Sequence, residues 1–343
     1  MTVNELAKLY CVDATTFELP DTRPSWFTFG IDKLIQKHAT EKRFLQMPSF
    51  WGAKAIGVFS DYSGDSPKAK AHTYSFLFAD YGALETFDQK VKEIRQKCGI
   101  LLNREIKFEQ LQSGDMQRAL PLILRAADEI PGLLFSLVVD KRVSSVIGIG
   151  KDTDTTLKTQ LAGFGFRSWD GKGQAERLAR VLHSVSYWLG LLGRKNMKTF
   201  WMTDNDSILG KPDEKGEFKE FEEAYGRTLS LFNSPEFEII GTAKSFAVNG
   251  NQPYPHELVS VADLVAGGLS AYFTDREGGS RHAKKHQQIG EILTFLGHQA
   301  VFLKKFTMAV MPSPSPEAEP SCGLVSLTGT SCSTEGYTSV EFA

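Results

Sequence analysis

The chain has 343 residues, 41% hydrophobic and 23% charged, with a formal net charge of -2. That balance fits a soluble protein of one large or two ordinary domains, and it excludes an overall basic field as a route to polyanion binding. No apolar run approaches the roughly 18 residues of a membrane span. The opening MTVNELAKLYCVD lacks the basic-then-apolar pattern of a secretory leader, and the four cysteines form no CxxC pair. The expectation is a cytoplasmic protein with no membrane partner.

Residues 1–50 read as a helical, aromatic-rich extension. TVNELAKLY and GIDKLIQKHATEKRFLQM have helical spacing, and PDTRPSWF separates them. The aromatics of SWFTFG and FLQMPSFW are expected in the core. From about residue 53 strands and helices alternate. AKAIGVFS and HTYSFLFADYG are predicted strands joined by SGDSPKAK. ALETFDQKVKEIRQKCG is an amphipathic helix closed by Gly99. REIKFEQL reads equally as a short strand or a helix entry, and MQRALPLILRAADEIPG reads as helical after Pro121. LLFSLVVDK is a buried strand, residues 174–193 the clearest helix, MKTFWMTDND and FEIIGTAKSF further strands, and PHELVSVADLVAGGLSAYF a long apolar helix. An early strand–strand pair followed by alternation predicts an α/β fold, a mixed sheet with helices on both faces, over residues 51–310. Residues 311–343 have no Lys or Arg and many Pro, Ser, Thr and Gly, and read as a disordered low-complexity tail.

Three predicted strands finish in acids: Asp61, Asp140, and Asp204 with Asn205 and Asp206 beside it. Strand ends are where α/β proteins place their sites, and hard divalent cations take all-oxygen ligands. Asp also follows strands simply because it starts turns and caps helices. Asp263 sits in LVSVADLVAGG, with Val259, Ser260, Ala266 and Gly267 one helical turn away. A carboxylate buried there is costly unless paired or bound to a cation; the alternative places it on the solvent side. Glu105 and Lys107 share one side of an extended segment, either as an exposed ion pair or as a ligand with a lysine near phosphate.

DYSGD, REIK, VVDK, MTD and SVADLVAG, in this order over roughly residues 55–275, resemble the family catalogued as domain of unknown function 3800. The resemblance implies a ribonuclease H-like fold and an acidic site for two divalent cations, Mg2+ or Mn2+. It implies Asp61, Glu105, Asp204 and Asp263 as metal ligands and catalytic residues, with Asp140 competing with Asp204. Lys107 and Lys141 would offset phosphodiester charge, and Ser63 and Gly64 would let the backbone approach metal or substrate. The sequence departs from the family pattern at Tyr62, where Glu is common, and at VSVAD, where a LQLAD-like stretch is usual. The implied function is a metal-dependent nuclease acting on DNA or RNA. The alternative is a catalytically silent ribonuclease H-like module that binds nucleic acid or a protein partner.

Other motifs are set aside. GIGKDTDTT lacks the first Gly of a phosphate loop and the Ser or Thr after its Lys, and reads as a flexible loop. HAKKH has no acid between its histidines and reads as a solvated basic turn. Haloacid dehalogenase-like phosphatases need a second Asp where this chain has Ser63.

Overall fold

The computed structural model describes residues 11–13, 26–40, 46–148, 152–204, 207–232, 237–244, 254–276, 285–298, 300–313, 320–327 and 338–342. Its centre is built by strands whose side chains alternate between two cores. In β3 (Ala55–Ser63), Ile56 and Val58 enter one core and Phe59 the other. β4 (Ala71–Asp80) and β5 (Gly132–Asp140) continue the pattern, with Phe76 and Phe135 on the first side and Leu77 and Leu134 on the second. A sheet buried on both faces needs helices on both. α1 (Trp26–Thr40), α5 (Gln174–Leu192) and α6 (Lys219–Leu229) fill the first core. α2 (Glu85–Cys98), α3 (Gly114–Ala127), α7 (Tyr254–Arg276) and α8 (His286–Gly297) fill the second. α4 (Thr153–Gly163) lies before α5. No helix among the described residues is long and apolar enough to cross a membrane.

The remaining strands are β6 (Lys198–Thr203), β7 (Glu238–Lys244), β8 (Leu303–Met311), β9 (Ser321–Leu327) and β10 (Thr338–Phe342). Among the described residues the sheet has eight strands in the order β10-β9-β8-β5-β4-β3-β6-β7. β4 runs against β3 and β5, while β6 runs with β3 and β7, and β8 runs with β5. The expected α/β mixed sheet flanked on both faces is therefore present. β1 (Cys11–Asp13) and β2 (Gln46–Pro48) form a separate antiparallel pair.

Several boundaries differ from the sequence reading. β3 runs through Asp61 to Ser63, because pairing with β4 continues as far as Ser63↔Thr73. α3 starts before Pro121 and carries it on the exposed side; burying Met116, Leu120, Ile123 and Leu124 offsets the one N–H that proline cannot donate. Phe27, Ile31, Leu34 and Phe50 belong to the first core, as expected, but α1 ends at Thr40 and the FLQM end of GIDKLIQKHATEKRFLQM runs into strand β2 instead of continuing the helix. Trp51 departs from the core expectation, being 75% exposed beneath the Arg194 guanidinium. TVNELAKLY lies outside the described residues. The tail contributes β9 and β10, and β9 pairs with β8 and buries Cys322 and Val325. Its apolar run CGLVSL finds a partner strand that composition alone does not reveal.

Candidate active site

Glu105, Lys107, Asp204, His256, Ser260 and Asp263 line one cleft. Three distant segments build it. Asp204 follows the last residue of β6, and its N–H donates to Ser60 O of β3 at 3.2 Å. His256, Ser260 and Asp263 occupy i, i+4 and i+7 of α7, one face of a helix. Glu105 and Lys107 lie on the non-helical stretch before a 3-10 turn, Phe108–Gln110. With Lys107 at φ -129 and ψ 148, the chain is extended there, so both side chains point one way without a strand.

That stretch is fastened to α7. Phe108 N–H donates to Asp263 Oδ2 at 2.5 Å. The Phe108 ring lies over Gly267, where an added Cβ would come within 2.4 Å of its Cγ. Gly268 faces Ile292 in the same way; both glycines admit neighbouring side chains rather than the sheet. Lys285 is buried, donates to Phe108 O at 2.8 Å, and stands over the Phe108 ring at 4.3 Å. It belongs to HAKKH, so that segment is not a wholly solvated turn. Behind the stretch, Arg95 pairs with Glu257 and donates to Leu101 O and Arg104 O.

Lys107 Nζ sits between two carboxylates, 2.9 Å from Glu105 Oε2 and 3.2 Å from Asp204 Oδ2. Burial disfavours its charge, but these two acids outweigh burial and hold it protonated well above the ordinary lysine range. Burial pushes Asp263 up to about 7; Phe108 N–H and Lys107 pull it down, while Asp204 and Glu109 add to the rise. Burial also lowers His256, against the pull of Glu105 and Asp204.

Asp61 does not line the cleft. It is buried on the same sheet face, and the register Ser60↔Thr203 puts it beside Asp204, on strands about 5 Å apart. It begins a polar row across the sheet, Asp61↔Ser75↔Ser136↔Thr307, with Ser75 Oγ and Ser136 Oγ 3.1 Å apart. The row one pleat before it is Phe59, Leu77, Leu134 and Lys305. Thr73, one pleat after Ser75, donates to Ala266 O of α7 at 2.8 Å, which seats the helix over this face.

The second-rank residues are placed differently. Asp140 accepts from Arg142 through its backbone N–H and both sides of the guanidinium, at 2.7 to 2.9 Å. It closes a turn rather than facing the cleft. Lys141 donates to Ser66 O at 2.6 Å in the β3–β4 loop. Ser63 O accepts from Thr73 Oγ1. Gly64 has φ +97, and a Cβ there would meet Ala71 O at 2.1 Å; the close backbone it admits is its own hairpin.

The acids fit a hard divalent cation in kind and charge, and Glu105 and Asp204 already grip a cation, the Lys107 ammonium. As they stand, no three His, Cys, Asp or Glu side chains among the described residues are grouped to hold a metal. His256 and Lys285 were missed by the sequence reading; for His256 the available signal was its helical spacing from Ser260 and Asp263. The chain matches no protein-family model, and no curated protein matches it, which leaves the geometry to carry the functional reading.

Proposed function

We propose that this chain is a divalent-metal-dependent phosphodiester hydrolase, a nuclease on a ribonuclease H-like sheet. The observation that carries the reading is the meeting of Glu105, Asp204 and Asp263 in one cleft, with Asp61 beside Asp204 on the sheet. A mixed sheet flanked by helices on both faces supports the fold assignment. Glu105, Asp204 and Asp263 would hold the metal, Mg2+ or Mn2+, with Asp61 as a further ligand. Two such ions would supply an activated water and stabilise the leaving oxygen of an in-line displacement.

The chain's own residues do the rest. Phe108 N–H fixes the Asp263 carboxyl, which near neutral pH can hold or release a proton. Lys107, 30% exposed at the cleft, is in place to meet a phosphate oxygen. The partner is nucleic acid, DNA or RNA.

A second reading, a catalytically silent module that binds nucleic acid or protein, is favoured by the Lys107 ion pairs, which offset one of the two charges of Glu105 and Asp204 without a metal. Calorimetric titration of Mn2+ into wild type, Asp204→Asn and Asp61→Asn separates the two. The nuclease reading expects wild-type binding that weakens about tenfold or more in Asp204→Asn, together with Mn2+-dependent cutting of single- or double-stranded DNA or RNA. Failure of the wild type to bind Mn2+ would sink it, and nucleic-acid binding that survived would then favour the silent module.

A further inference from the structure

We propose that Lys107 is an exchangeable counter-ion: its ammonium fills the cation position between Glu105 and Asp204 in the metal-free protein and leaves when a divalent ion arrives. The inference rests on the metal-dependent reading above and adds to it a device that governs loading of the site.

Four observations carry it. The ammonium lies within ion-pair distance of both carboxylates, 2.9 and 3.2 Å away, on a line that bridges two acids from segments far apart in sequence. An ammonium is a compact point charge on a flexible stem, unlike a guanidinium fork, so it can vacate a position without rebuilding it. Lys107 is 30% exposed, and its two partners are 26% exposed, so the route out of the cleft is open. The backbone that carries it is held independently of Nζ, by Phe108 N–H on Asp263, the Phe108 ring on Gly267, and Lys285 on Phe108 O. The head group can therefore swing while the stretch that bears Glu105 stays in place.

Charge accounts for the exchange. Two carboxylates against one ammonium leave one negative charge, and withdrawing the ammonium leaves two, which one divalent ion balances. The cleft is then never left with bare paired acids, which burial would penalise. Once displaced, Lys107 stays at the mouth of the cleft, where an incoming phosphate meets it. Loading the site and arming it toward substrate become one event.

The sign of a single substitution tests this. A residue that merely supports the site, or contacts only substrate, leaves Mn2+ affinity unchanged or weaker when removed; a competitor for the metal position makes it tighter. Mn2+ binding is read from loss of the free-ion electron paramagnetic resonance signal, on purified full-length protein without substrate. Lys107→Met is expected to bind Mn2+ about tenfold or more tightly than wild type, because the competing charge is gone. Lys107→Arg, which keeps the charge, is expected to bind no more tightly than wild type. In thermal melts, Lys107→Met should fall below wild type without metal and gain more from Mn2+. Lys107→Gln serves if the Met variant does not fold, judged by far-ultraviolet circular dichroism.

If Lys107→Met binds no more tightly than wild type while Asp204→Asn loses binding, exchange is overturned and the metal reading stands. If wild type and every Lys107 variant fail to bind Mn2+, both fall together.

Discussion

At the scale of single residues, Asp263 is a cleft side chain whose charge changes near neutral pH. Its carboxyl is half-buried between α7 and the Phe108 turn, and this desolvation raises it from 3.8 to about 7. The folded state therefore keeps this proton after the unfolded chain has released it. The contribution to stability is fully present below pH 3.8 and is lost as pH rises through about 7. Asp263→Asn removes the titration while still accepting from Phe108 N–H. In urea unfolding with a chelator present, the variant should gain on wild type between pH 4 and pH 8, by on the order of 2–4 kcal/mol. Equal pH profiles would show that the carboxyl is not desolvated. Asp263 was legible in the sequence because an acid among small and apolar helix positions is unusual. Lys285 was not, because a lysine in a basic run looks solvated until Phe108 is seen beneath it.

At the scale of elements, periodicity found α2, α5, α7 and the central strands, where length and apolar spacing agree. It misses the start of α3 because proline ordinarily marks a helix boundary, whereas Pro121 lies inside this helix. It leaves α6, α8 and β8 unassigned and reads GIGKDTDTT as a loop, although Thr153 to Thr156 open α4, and it cannot decide REIKFEQL, whose extended path is fixed by Asp263 of α7 and by Lys285 rather than by its own pattern. α5 offers an element-scale prediction. Burial lowers His183 to about 4, and Nδ1 has no hydrogen-bond partner among the described residues. Its ring packs edge-on to Phe232 at 5.7 Å. Because the unfolded chain takes up this proton near pH 6.5, stability is lost as pH falls from there toward 4. His183→Phe keeps a ring against Phe232 and removes the proton site. Wild type should lose on the order of 2–3 kcal/mol relative to this variant between pH 7 and pH 4, read from urea midpoints across that range. Parallel loss in both proteins would place the acid sensitivity elsewhere.

At the scale of the whole molecule, the segment that composition marked as a tail closes one side of the sheet. β9 covers the edge of β8 and places Cys322 in one core and Val325 in the other. Ending the chain after Met311 should therefore expose the edge of β8 and open both cores. The expected result is a melting temperature lower by about 10 °C or more, with self-association through the bared strand, seen by thermal melt and size-exclusion chromatography. An unchanged melt and a single monomer peak would show that β9 adds nothing. Composition averages over proline-rich neighbours, so it hides a seven-residue strand whose stability comes from its partner.

The row Asp61, Ser75, Ser136 and Thr307 has a meaning apart from chemistry. Sliding β4 by two residues against β3 would set Asp61 opposite Leu77 and Ser75 opposite Ser63, or Asp61 opposite Thr73 and Ser75 opposite Phe59. One such slip forces an acid against leucine in the second core, so the row makes misalignment costly in a sheet otherwise rich in interchangeable apolar side chains. The pairings of β3 with β6 and of β5 with β8 join segments far apart in the chain, the kind of contact that forms late. The polar row would thus act as a set of alignment marks during folding, telling each late-arriving strand where to stop.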